Sequence, residues 1–232
     1  MSSDIPFLKE RLAEAARYAL MRRLLPAIRH NLAGSLQPIG MMSAMLERRI
    51  KSAVPDLAQL GKNTQALATL SREAAATSVN LMAWLGPRDN DPVAVSSAVE
   101  ESLGLMSTEL SFRGFSVVNQ TADVLAELPK GMLRSVFTAS LIALTDSAEN
   151  AASVVVSATG EAGAAGGTRL KIALEPGGMA EFAAMGARMT SYRTLQWTDV
   201  QALADAEGVH LKYASGFVQL DCCAAAAAAS GG

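Results

Sequence analysis

The sequence predicts an α+β protein: an N-terminal two-helix hairpin, completed to a four-helix bundle in a dimer, followed by an α/β sandwich. Three observations carry this expectation. Through residue 86, apolar side chains recur in steps of three and four, the period of a helix face. Beyond Gly86-Pro87 the pattern changes to short alternating runs separated by helical ones. Half of the 232 residues are hydrophobic and 18% are charged. That composition can fill a substantial core and excludes a disordered chain.

The first helix is read from Phe7 to Ile50 on the stripe Leu8, Leu12, Ala15, Ala19, Leu25, Ile28, Leu32, Leu36, Ile39, Met42, Leu46 and Ile50. Ser52–Asp56 interrupts it, with Pro55 placed to end one helix or begin the next. The second helix follows from Leu57 through Leu60, Leu67, Leu70, Ala74, Leu81 and Leu85, and Gly86-Pro87 terminates it. Residues 1–88 then form an antiparallel hairpin. Alone it cannot bury a wide apolar stripe, so two copies are expected to pair as a homodimer.

Arg88–Pro92 is polar and reads as a linker. Residues 92–223 form the second domain. Val95–Arg113 and Lys130–Asn150 read as helices, and Phe115–Gln120 as a strand. Ala152–Thr159 and Thr168–Leu174 are strand-like runs around the Gly/Ala-rich loop Gly160–Gly167. Thr198–Glu207 is a last helix, and Val209–Ala214 with Phe217–Cys222 makes a closing hairpin around Ser215-Gly216. The tail 224–232 is low-complexity and expected to be flexible.

Composition narrows the function. A net charge of −2 argues against bulk nucleic-acid binding through phosphate neutralisation. Between His30 and Glu47, the uncharged run Asn31–Leu46 is sixteen residues and contains Pro, Gly, Gln and Asn. A membrane-spanning helix needs roughly 20 mostly apolar residues. No basic segment leads into an apolar stretch at the N-terminus, so a cytoplasmic protein is expected. The two cysteines are adjacent, so there is no Cys-x-x-Cys pair, and with only two histidines a Cys/His zinc site is not expected.

One stretch carries chemistry: Arg29-His30-Asn31-Leu32-Ala33-Gly34-Ser35-Leu36-Gln37-Pro38-Ile39. His30 lies two residues from both Ile28 and Leu32, about 200° from each around the helix, and so points away from the apolar stripe. A lone helical histidine is ordinarily a solvated residue. Here Gly34 lies one turn on and Gln37 two turns on, on the same face. Glycine costs a helix interior about 1 kcal/mol relative to alanine. Its missing side chain leaves room beside the imidazole for a phosphoryl group or a docking partner.

On these residues the sequence resembles the histidine-kinase superfamily. His30, Asn31, Leu32, Leu36 and Ile39 are similar to the phosphoacceptor box on the first helix of its dimerisation and phosphotransfer hairpin. Val95–Val118, Met132–Ala148 and Leu195–Leu220 resemble, in order and spacing, parts of its GHKL-type catalytic domain. The resemblance puts Leu144 where active kinases have a magnesium-binding asparagine, and leucine cannot coordinate the ion. Asp146 could substitute only in a shifted register. The adenine-binding box is reduced to Glu175-Pro176-Gly177-Gly178-Met179, and Met189–Leu195 lacks the lid glycines. The resemblance therefore implies a nucleotide-blind member, without ATP binding.

Active kinases usually follow the histidine with Asp or Glu as a general base, whereas Asn31 cannot accept a proton. Taking a phosphoryl group from a receiver-domain aspartyl phosphate is less demanding. That donor is already activated, and the receiver brings its own Mg²⁺. The pattern resembles the dimeric histidine phosphotransferases of bacterial phosphorelays, with His30 as nucleophile, receiver domains as partners and no cofactor on this chain. The alternatives are a non-catalytic adaptor with a vestigial His30, and a divergent kinase rescued by Asp146 or Glu175.

Other residues read more plainly. Arg29 is divided between a role beside the phosphoryl group and ordinary solvation, while Arg22 and Arg23 are expected on a solvated face. Gln37 could orient a water for receiver dephosphorylation, but Gly34 stands where such members carry an amide or hydroxyl. His210 is read as structural within a strand, Cys222 and Cys223 as a strand end, and Met41, Met42 and Met45 as packing.

Overall fold

The computed structural model describes residues 4–84, 86, 91–160, 167–177 and 194–222. The chain divides into two compact units, Leu25–Pro87 on one hand and Met1–Leu24 with Arg88–Gly232 on the other. Helix α1 (Asp4–Ile50) runs from one into the other and holds Pro26 and Pro38 in its interior. Neither proline has an N–H for the carbonyl four residues back, at Arg22 and Gly34 respectively.

The Leu25–Pro87 unit holds the rest of α1 and helix α2 (Leu57–Met82). Arg48 and Arg49 in the last turn of α1 suit the negative end of its dipole. Asp56 caps α2, its side chain accepting from the Gln59 amide at 3.0 Å. The Lys51–Asp56 turn therefore ends where a capping carboxylate becomes available, one residue after Pro55. Leu36, Met41, Ile50, Leu57 and Val79 are all exposed. Met41, read as packing, is among them.

The other unit is an α+β sandwich. A five-stranded sheet has the order β2-β4-β5-β7-β6, formed by β2 (Ser116–Gln120), β4 (Ser153–Thr159), β5 (Thr168–Glu175), β6 (Val209–Ala214) and β7 (Phe217–Cys222). β2 pairs parallel to β4 and the remaining pairs are antiparallel. Alternation fixes the buried face. Val154, Val156, Leu170, Ile172, Val218 and Leu220 are fully buried beneath the helical layer. Each such side chain contributes roughly 2 kcal/mol of burial free energy.

That layer comprises α3 (Val95–Phe112), α4 (Lys130–Met132), a π-helical turn (Leu133–Phe137), α5 (Thr138–Asp146) and α6 (Trp197–Ala206). α3 packs on β2, α5 on β7 and α6 on β6. α3 ends in a Schellman motif. Gly114 takes φ 81, and the Phe115 and Gly114 amides donate to the Leu110 and Ser111 carbonyls, each at 2.9 Å. The β6–β7 turn uses Gly216 at φ 85.

Several expectations require correction. The Arg88–Pro92 linker ends before Pro92, which opens β1 (Pro92–Ala94), paired antiparallel with β3 (Glu127–Pro129). The Lys130–Asn150 helix ends at Asp146 and is split by the π turn. The stripe on the first part of α1 is displaced. Ala13, Ala16, Leu20 and Leu24 are buried, whereas Leu8, Leu12 and Leu25 are exposed. Small alanines let another surface approach closely, which outweighs the larger area of the leucines on the other side. The expectations for Leu85, Pro87, residues 88–90 of the linker, loop residues 161–166, Gly178, Met179, residues 189–193, Cys223 and 224–232 fall outside the described residues.

Candidate functional site

His30 stands exposed on α1, with buried Ile28 on the opposite side. Gly34 and Gln37 are exposed too, and their i, i+4 and i+7 spacing puts them on the same helix face. A Cβ built on Gly34 would meet nothing within 4 Å. The surface one turn beyond the imidazole is thus open, and backbone is its main feature. Arg29 is exposed beside His30.

Asn31 is half-buried, and its Nδ2 donates to the Ala27 carbonyl at 2.9 Å. The amide is thereby oriented along the helix, and it has no capacity to take a proton. Ser35 Oγ donates to the Leu32 carbonyl at 2.9 Å. What this face offers chemically is one solvent-accessible nucleophile on a rigid helix, next to a cleared patch.

The residues that could hold a metal in the other unit are arranged otherwise. Leu144 is 1% exposed and apolar, so it supplies no ligand. Asp146 is closed off by two guanidiniums. Its Oδ1 accepts from Arg113 Nη1 at 2.7 Å and from Arg23 Nη2 at 3.2 Å. Arg23 also makes a paired contact with Glu109, its Nη1 lying 2.9 Å from Oε2 and its Nη2 bonding Oε1. Arg113 further donates to the Thr145 carbonyl at 2.7 Å.

Burial alone would lower the Arg23 pKa, but the Glu109 hydrogen bond and the charges of Asp146 and Glu109 outweigh it and raise it. The guanidinium is therefore permanently charged here. These residues do not fit a magnesium ion, because the nearby carboxylates, Asp146 and Glu109, are both already paired with guanidiniums. Asp146 as a rescuing ligand is thus corrected, and so is Arg23 as a solvated residue. Arg22 remains exposed, its guanidinium 5.9 Å from the Tyr18 ring centroid.

Glu175 is exposed at the end of β5, and Gly177 follows at φ 144. Among the described residues, no group of three or more His, Cys, Asp or Glu side chains could hold a metal ion. Also among them, no helix is long and apolar enough to cross a membrane. His210 is exposed on β6 rather than built into the core. Cys222 is buried at the end of β7.

Arg23 is the residue that sequence reasoning missed. Its partners lie 86 and 123 positions away, so no local spacing signals them.

No protein-family model matches the chain, and no curated protein matches it. Solved structures do. The chain is similar to the Acinetobacter baumannii histidine kinase AdeS at 16% identity, over 82% of this chain and 97% of that one, with a TM-score of 0.44. It is similar to a histidine kinase from Burkholderia phymatum at 11% identity, over 87% and 97% of the two chains, with a TM-score of 0.43. It is also similar to the histidine kinase ThkA, solved in complex with the response regulator protein TrrA. That match has 13% identity, covers 93% of this chain and 66% of that one, and has a TM-score of 0.40.

Proposed function

We propose that the chain is a histidine phosphotransferase that relays a phosphoryl group through His30 between receiver domains, without binding ATP. The observation that carries this is the exposed His30 with the cleared Gly34 position on the same helix face. An aspartyl phosphate of one receiver is the donor. The lone pair of an unprotonated ring nitrogen attacks phosphorus, the acyl P–O bond breaks, and the receiver carboxylate leaves. The other ring nitrogen keeps its proton. Reversal of the step onto a second receiver's aspartate regenerates neutral His30.

This chain's part is to present the imidazole and leave room around it, while Mg²⁺ travels with the receiver and offsets its charge. Arg29, exposed next to His30, is placed to attract the phosphoryl group or the acidic receiver pocket. Pairing of two chains through the exposed apolar residues of α1 and α2 belongs to the same reading.

The apolar Leu144 and the guanidinium-paired Asp146 support the nucleotide-independent part. A second reading, a receiver-binding adaptor, is favoured by Asn31, whose amide bonds the Ala27 carbonyl and cannot act as a base.

The test is incubation with Mg·ATP and, separately, with phosphorylated receiver domains, followed by assay for acid-labile, alkali-stable phosphate in wild type and His30→Ala. Label from receivers alone, lost in the variant, is the expected result. Label from ATP makes the chain a divergent kinase. Label from neither, using receivers shown to transfer elsewhere, leaves the adaptor.

A further inference from the structure

The sheet has a second face that the helical layer does not cover, and its side chains fall into rows across the strands. One row crosses all five strands as Val118, Val155, Ala173, Phe217 and Ala214, in register throughout. It is apolar from end to end. Val118 is 42% exposed, Ala214 is exposed, and the three between are half-buried. On a solvated sheet face these positions would ordinarily be polar.

The next two rows are different. The first carries Lys171, Gln219 and Lys212, and the second Arg169, Asp221 and His210. Three cations thus stand on one side of the apolar row, against the single carboxylate of Asp221. That carboxylate is already held by Arg169 Nε at 2.6 Å and Lys212 Nζ at 3.2 Å. Lys171 Nζ lies 5.8 Å from the Phe217 ring centroid, leaning over the boundary between the two zones. The surplus positive charge sits on a chain whose net charge is −2.

We propose that this face docks an acidic amphipathic helix of a protein partner. Strands lie about 4.8 Å apart, so five strands give an apolar row of about 19 Å. That is the length of about 13 helical residues at 1.5 Å each. A helix laid along the row would bury its apolar stripe on Val155, Ala173 and Phe217. Its carboxylates on one flank would meet Lys171, Lys212 and Arg169. The occupant is a protein rather than a nucleic acid, because phosphates would leave the apolar row unused. It is a protein rather than a lipid surface, because Glu175, in register with Ser153 and Ser116 on the other side of the row, would face the anionic headgroups that the cations attract. The site is separate from the phosphotransfer reading of His30 and stands or falls without it.

The probe is a Leu/Glu amphipathic helical peptide of about 14 residues, titrated into the full chain with Val and Ala methyls labelled for NMR. The expected shifts are at Val118, Val155 and Ala173. The paired reversal Lys171→Glu, Lys212→Glu should weaken binding about tenfold or more, as should the Gln-for-Glu peptide. Ala173→Glu, which leaves the cations in place, should block binding while circular dichroism stays native. Shifts confined to other residues, or equal binding by the Gln peptide, overturn the proposal. If the same methyls shift with protein concentration alone, the occupant is a second copy. If they shift instead with phosphatidylserine-containing vesicles, it is a membrane. Either result overturns the partner assignment.

Discussion

The guanidinium of Arg23 and the carboxylate of Asp146, 123 positions apart, meet at 3.2 Å with side chains only 16% and 12% exposed. Glu109 and Arg113 complete a neutral set of two cations and two anions. The network ties the first half of α1 to α3 and to the end of α5. It also closes the carboxylate that stood nearest to a metal-binding role. One feature thus joins the architecture of this unit to its chemistry.

Removing Arg23 leaves two mostly buried carboxylates facing a single Arg113. Breaking a fully buried pair costs roughly 3–5 kcal/mol, and water contact here reduces that, so Arg23→Met should lose about 2 kcal/mol. A double-mutant cycle with Asp146→Asn, read by urea unfolding, should give a coupling of at least about 1 kcal/mol. Coupling near zero would return Arg23 to the solvated face that its sequence context suggests.

Most of the architecture was legible because it is written in two periods. Steps of three and four announced α1 and α2, alternation announced β2, and short strand-like runs between turn residues announced β4, β5, β6 and β7. What escaped has physical reasons. β1 and β3 are three residues each, Pro92–Ala94 and Glu127–Pro129, too short to show a period. The π turn at Leu133–Phe137 has the same apolar pattern as the helix around it. The buried face of early α1 is marked by Ala13 and Ala16, whose value lies in close approach rather than in area. His30 was legible because exposure of one residue follows from its angle to Ile28. The role of Asp146 was not, because it depends on Arg23, far away in sequence.

Asp221 supplies a pH dependence. The Arg169 hydrogen bond, opposed by partial desolvation and helped by Gln219 and Lys212, holds its carboxyl down at about 2 rather than the ordinary 3.8. A lowered carboxyl stabilises the fold above its unfolded value, and that contribution disappears as pH falls through the folded one. The window is therefore roughly pH 4 to 2. Arg169 and Lys212 are 57% and 55% exposed, so screening keeps the contribution to no more than about 1 kcal/mol. Carbon-detected NMR titration should place the Asp221 midpoint near 2, and Arg169→Ala should move it up toward 3.8. An unmoved midpoint in Arg169→Ala would assign the shift to another cause.

Asn63 in α2 is 6% exposed. Its Oδ1 accepts from Gln59 Nε2 at 3.1 Å, while Nδ2 is buried without an acceptor among the described residues. An unmet buried donor costs roughly 1–3 kcal/mol. Asn63→Leu, close in volume, should therefore raise stability in urea by about 1 kcal/mol. A loss of stability instead would mean that an acceptor outside the chain serves Nδ2, with a second copy the first candidate.

Gly34 separates the needs of the helix from those of the proposed chemistry. A methyl group there has free space, with nothing within 4 Å of the position. Gly34→Ala should therefore stabilise α1 by about 1 kcal/mol, read as a higher thermal midpoint. If the clearing serves a receiver docked at His30, added bulk must push the donor phosphorus away from the imidazole. Misplacement by about 1 Å costs about a hundredfold in rate. Gly34→Leu should thus transfer from a phosphorylated receiver far more slowly than wild type while unfolding no earlier. Opposite movement of stability and transfer rate is the signature of a glycine kept for access. Transfer at the wild-type rate in Gly34→Leu would show that the receiver approaches His30 from another side.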